Sequence, residues 1–108
     1  MKRELFKQIT AQVEDEPIYD MTLGYYLLTD VAEEDAHDFF VYGVEVVKEA
    51  SDIEAFCGKE RKIIKGLFFK KDEAESFLDL ISRNQVTPIG LKCVVKDYFC
   101  DKIGELTV

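Results

Sequence analysis

No apolar run in this chain approaches the roughly 18–20 residues that a bilayer crossing needs, so no membrane span is expected. The opening Met1-Lys2-Arg3-Glu4-Leu5 is basic, but Glu4, Lys7 and Gln8 interrupt it before an apolar segment develops, so no secretory signal is expected. Cysteine is sparse: Cys57, Cys93 and Cys100 are odd in number and form no CxxC pair. Small secreted domains carry even and denser sets, so the count points to a reducing cytoplasm. Cys93 and Cys100 lie two helical turns apart, about 10 Å at a rise of 1.5 Å per residue, which is beyond disulfide reach. There is a single histidine, and no Walker-type loop, GxGxxG, GxSxG or HExxH pattern occurs. Internal repeats and low-complexity tracts are missing as well.

What is present suits one independent fold over residues 1–108. A chain of this length buries roughly 60–70% of its unfolded surface, and 47% hydrophobic residues, with eight Phe and five Tyr, supply the core. The net charge of −8 is unevenly spread. Residues 21–58 hold nine acids against Lys48 alone, whereas residues 59–71 hold six cations against Glu60 alone. Overall acidity disfavours binding to nucleic acid or to anionic membranes, both polyanions. The basic island Lys59-Glu60-Arg61-Lys62 with Lys70-Lys71 has a plain reading as solvation that guards a strand edge, and a sharper one as a phosphate or acidic-partner site.

Periodicity divides the chain in two. Strands are expected over about 5–13, 18–31, 39–48 and 60–69, and helices over about 73–84 and 88–103. The first segment is ambiguous, because Leu5, Ile9 and Val13 fit a helical stripe as well as a strand face. Glu14-Asp15-Glu16-Pro17 breaks it, and Gly24 suggests a bulge in the second strand. Ala32 to Asp38 reads as a polar connection. In the third strand Phe40, Tyr42, Val44 and Val46 share one face, and Phe39, Val41, Gly43, Glu45 and Val47 the other. Apolar residues on both faces suggest a central strand or a second covered surface, such as a dimer contact.

The helices carry clearer punctuation. Asp72 with Glu75 resembles a capping box, and Ala74, Phe77, Leu78 and Ile81 form a stripe. Arg83-Asn84 suits a cationic last turn with a left-handed cap, and Thr87-Pro88 restarts the helix. Leu91, Val94, Val95, Tyr98 and Phe99 make the second stripe, and Gly104 is expected to end it. The expected fold class is α+β: a four-stranded antiparallel β-meander followed by a two-helix hairpin on one sheet face.

Tyr25-Tyr26-Leu27, Tyr42-Gly43-Val44-Glu45-Val46 and Val86-Thr87-Pro88-Ile89-x-Leu91-x-x-Val94-Val95-x-x-Tyr98 resemble the corresponding segments of a family of small uncharacterised proteins from clostridia and related gut bacteria. The resemblance spans roughly Leu5 to Phe99. It implies a cytoplasmic bacterial setting, strands before helices, and a strand at Leu5 to Val13. The family brings no assigned activity, so no site residue follows from it.

Candidate chemistry is thin. His37 sits among acids with no nucleophile implied nearby, and reads as a solvated loop residue. Glu33-Glu34-Asp35-x-His37-Asp38 lacks the carboxylate spacing and turn glycine of a calcium loop, and the scattered cysteines do not suggest zinc. Cys57 precedes the basic island, where nearby cations lower a thiol pKa, whereas Cys93 and Cys100 read as small packing residues. The paired aromatics invite comparison with single-strand RNA platforms, but the charge argues against it. No cofactor is expected.

Three functions compete. The first is a small non-enzymatic cytoplasmic protein acting through contacts with a protein partner or a second copy of itself. The second is an anion-binding module with a pocket between sheet and helices rimmed by Arg61, Lys62 or Lys65. The third is an enzyme with Cys57 as nucleophile.

Overall fold

The computed structural model describes residues 1–13, 19–34, 37–50 and 59–106, with side chains over 1–10, 21–32, 39–49 and 60–100. Four strands, β1 (Lys2–Val13), β2 (Tyr19–Glu34), β3 (His37–Ala50) and β4 (Lys59–Phe68), form one antiparallel sheet in chain order. Two helices follow, α1 (Lys71–Arg83) and α2 (Pro88–Leu106). This is the α+β meander with C-terminal helices that the change of period indicates. The ambiguous first segment is a strand, because pairing with β2 from Lys2↔Thr29 to Val13↔Tyr19 satisfies a whole ladder of backbone groups.

Period two divides the sheet into faces. Met21, Leu23, Tyr25 and Leu27 of β2, Val44 and Val46 of β3 and Phe68 of β4 meet Ala74, Phe77, Leu78 and Ile81 of α1 and Leu91 of α2 in one core. Val94, Val95, Tyr98 and Phe99 pack at its margin. Phe68, Phe77 and Tyr98 pack ring against ring, with Phe77 and Tyr98 edge to face at 4.9 Å between centroids. Each fully buried side chain of this size stabilises the fold by about 1.5–3 kcal/mol.

Several local expectations change. The ladder runs on through Ala32↔Phe39, Glu33↔Asp38 and Glu34↔His37, so residues 32–34 and 37–38 belong to strands rather than to a polar connection. Backbone pairing there outweighs the polar character of the side chains. Gly24 sits in unbroken register, and the irregularities lie in β1 between Leu5 and Lys7 and opposite Tyr42 and Val44 of β3. A Cβ on Gly24 would stand 3.0 Å from Tyr26 Cε2, so this glycine makes room for a ring laid along the strand.

The helix ends differ too. Lys70 occupies the α1 N-cap with no side-chain cap, and Asp72 Oδ1 instead accepts from the Glu73 N–H at 3.1 Å within the first turn. The left-handed residue is Gln85 (φ 52°), one beyond Asn84. Gln85 N–H donates to Ser82 O at 3.1 Å and Val86 N–H to Ile81 O at 2.9 Å, which closes the helix and turns Val86 into the core margin. Helix α2 continues through Gly104 to Leu106, since one interior glycine costs only about 1 kcal/mol.

Candidate contact surfaces

The face of the sheet away from the helices is built around a buried acid. Glu45, at the centre of β3, is 1% exposed although no helix covers it. Its Oε1 accepts a hydrogen bond from Arg3 Nε of β1, and its Oε2 lies 2.9 Å from Arg61 Nε of β4. The carboxylate raises the Arg3 pKa above its ordinary value through that hydrogen bond. The Arg3 guanidinium also stacks over the Tyr26 ring, 3.6 Å from its centroid. The two edge strands are thus tied to β3 by one carboxylate. Long arginine side chains reach across this face, where Leu28 and Val47 are buried.

Exposed apolar surface concentrates elsewhere. The ends of β2 and β3 nearest residues 34 and 37 carry Val31 (56% exposed) opposite Phe40 (58%) on the helix side. On the other side Phe39 meets Phe69 (75% exposed) with ring centroids 6.0 Å apart. A shallow hollow of about 210 Å³ beside Phe40 is lined by Lys2, Glu4, Thr29, Tyr42 and Lys71. Lys2 pairs with Glu4 at 2.8 Å there.

At the other end of the sheet a groove of about 380 Å³ lies between the start of β4 and the start of α2. Glu60, Arg61, Lys62, Pro88, Ile89 and Lys92 line it, and Ile89 is 78% exposed. Glu60 Oε2 is buried there without a hydrogen-bond partner among the described residues.

The expected site residues therefore separate. Arg61 and Lys62 come together at this groove, although Arg61 is also committed to Glu45. Lys65 is exposed but sits in the irregular part of β4, outside the groove lining. Cys57 lies outside the described residues. Cys93 and Cys100 are exposed on α2 rather than packed, because the core-facing stripe is filled by Leu91, Val94, Val95, Tyr98 and Phe99. His37 is the first residue of β3, paired with Glu34, rather than a loop residue. Sequence reading passed over Arg3, Ile89 and Lys92 as site residues and weighed Tyr26 and Phe40 only among the paired aromatics; for Arg3 the available signal was a cation at a strand position on the face of Glu45.

Among the described residues no three His, Cys, Asp or Glu side chains cluster as metal ligands. No described helix is long and apolar enough to cross a membrane. Fold and surfaces together define a two-layer α+β domain with exposed apolar ends, whose edge strands β1 and β4 have no outer neighbour among the described residues. The chain belongs to a family of unknown function, DUF6514, whose model matches residues 4–101. No curated protein and no solved structure matches it.

Proposed function

We propose that this is a non-enzymatic bacterial, cytoplasmic protein that acts through protein contacts, the first of them with a second copy of itself through the outer end of β2 and β3. The observation that carries this reading is the solvent exposure of Val31, Phe40 and Phe69 at one end of the sheet, an apolar end on both faces. Exposed clusters of this kind mark interaction sites.

Charge supports a second copy as occupant. This end carries Asp30 together with the cations Lys2, Lys70 and Lys71, a surface of mixed sign suited to self-complementary two-fold packing.

Sedimentation equilibrium tests the contact. The wild type is expected to dimerise at micromolar concentration, and Val31→Lys with Phe40→Lys to sediment as a folded monomer. A strictly monomeric wild type removes the self-association.

The groove at β4 and α2 favours a second reading, a small-anion module, because Lys62 and Lys92 line a space of ligand size. Glu60 in the same wall opposes it. A metabolite screen by thermal shift distinguishes the two, since a ligand of the native state raises apparent stability.

A further inference from the structure

We propose that the first half of β4 is a strand-addition site for an extended acidic, aliphatic peptide segment of another protein. This site lies at the opposite end of the sheet from Phe40 and does not depend on the dimer contact.

Strand β4 closes the sheet order, so no other described strand pairs with its outer edge. Its register with β3 is regular from Lys59↔Glu49 to Ile64↔Val44, a straight stretch of backbone. Beyond Ile64 the register shifts, and Gly66 adopts φ 64°, so the usable edge ends there. An added strand draws affinity from main-chain hydrogen bonds and selectivity from alternate side-chain positions on the two faces.

Each face of this edge offers a cation beside an aliphatic group. On the helix side Lys62 stands with Pro88, Ile89 and Lys92 along the groove. On the opposite side Arg61, paired with Glu45 through Nε but half exposed, precedes Ile63, which is opposite Glu45 in the register. An incoming segment with an acid and an aliphatic residue alternating on each face matches this pattern.

Charge selects the occupant. Residues 59–64 hold Lys59, Arg61 and Lys62 against Glu60, with Lys92 beside them, in a chain of net charge −8. The other open edge, β1, is also basic through Lys2, Arg3 and Lys7, so edge-to-edge pairing of two copies sets like charges together. Lysines on an edge also block indiscriminate pairing, and that same field admits an acidic strand.

An end-capped peptide Glu-Glu-Val-Val-Glu-Glu-Val-Val, labelled for fluorescence anisotropy, tests the site on the full chain. Two controls accompany it: the same peptide with Lys for every Glu, and one with Pro at the fourth position, which keeps the charge but removes a ladder donor. The acidic peptide is expected to bind, with amide shift changes confined to residues 59–64 and the start of α2. Lys62→Glu with Lys92→Glu, both exposed, should weaken it about tenfold or more while thermal stability stays unchanged. Equal binding of the proline peptide, shifts elsewhere, binding insensitive to the double variant, or no binding at all overturns the proposal.

Discussion

Gly43→Ala is the substitution through which the architecture is most directly tested. A Cβ at this position would meet the Ile64 carbonyl oxygen inside any allowed contact and stand 2.8 Å from the Lys65 Cα. Both neighbours are backbone atoms of β4, held where the register with β3 shifts between Val44↔Ile64 and Tyr42↔Phe68. Neither atom can rotate away, so relief requires β4 to lift off β3. That movement disturbs Phe68, which packs on Phe77 at 5.6 Å between ring centroids. Overpacking against an unyielding neighbour costs about 1–3 kcal/mol and rises when backbone must move, so we expect about 2–4 kcal/mol. For a domain of this size the melting temperature then falls by about 10–25 °C. Two other glycines calibrate the measurement. Gly66 has φ 64° with open space around its would-be Cβ, so Gly66→Ala should cost only the left-handed penalty, about 1–2 kcal/mol. Gly90, in the first turn of α2, meets nothing nearer than Thr87 Oγ1 at 3.6 Å, and Gly90→Ala should stabilise by about 0.4–1 kcal/mol. Urea unfolding followed by circular dichroism ranks the three. A Gly43→Ala variant no less stable than Gly66→Ala would refute the close approach of β3 and β4.

Two further outcomes follow from the buried polar groups. Removing the charge in Glu45→Gln leaves Arg3 and Arg61 without their shared carboxylate and should cost about 2–3 kcal/mol in urea unfolding, below the fully buried range because both arginines are half exposed. Replacing all three residues together by Met, Leu and Met should be close to neutral, and a Glu45→Gln variant as stable as wild type would sink the account. Burial pushes the Tyr25 hydroxyl from its usual 10 up to about 12, while it donates to Val86 O at 2.9 Å. Its contribution is therefore complete below pH 10 and is lost as pH rises from 10 towards 12, where the unfolded chain releases the proton first; the loss is about 2–3 kcal/mol. Tyr25→Phe should be less stable at neutral pH and flatter through that alkaline window, and equal alkaline slopes for the two proteins would contradict the burial argument.

Element order and type were legible in the residues because both periods are local. Alternation over Phe39 to Val47 and the stripe Ala74, Phe77, Leu78, Ile81 need no knowledge of distant partners. The same locality explains the errors. Whether Asp72 or Lys70 caps α1, and whether Asn84 or Gln85 turns left-handed, depends on where the core holds Ala74 and Val86, and propensity alone does not decide that. The cysteines of α2 were misplaced for a related reason. A stripe at period 3.6 identifies the face, but its width depends on how much sheet lies beneath.

The chain by itself determined an acidic α+β domain with strands before helices, together with a basic island at residues 59–71, since composition, charge and periodicity are properties of neighbours along the backbone. Only the tertiary structure decided that Glu45 joins Arg3, 42 residues away, and Arg61 across three strands. It alone decided that Gly43 admits no side chain and that Arg61 and Lys62 share a groove with Ile89 and Lys92. Each of these depends on strand register and on the placement of α2 over the sheet, which arise from pairing between segments far apart in sequence.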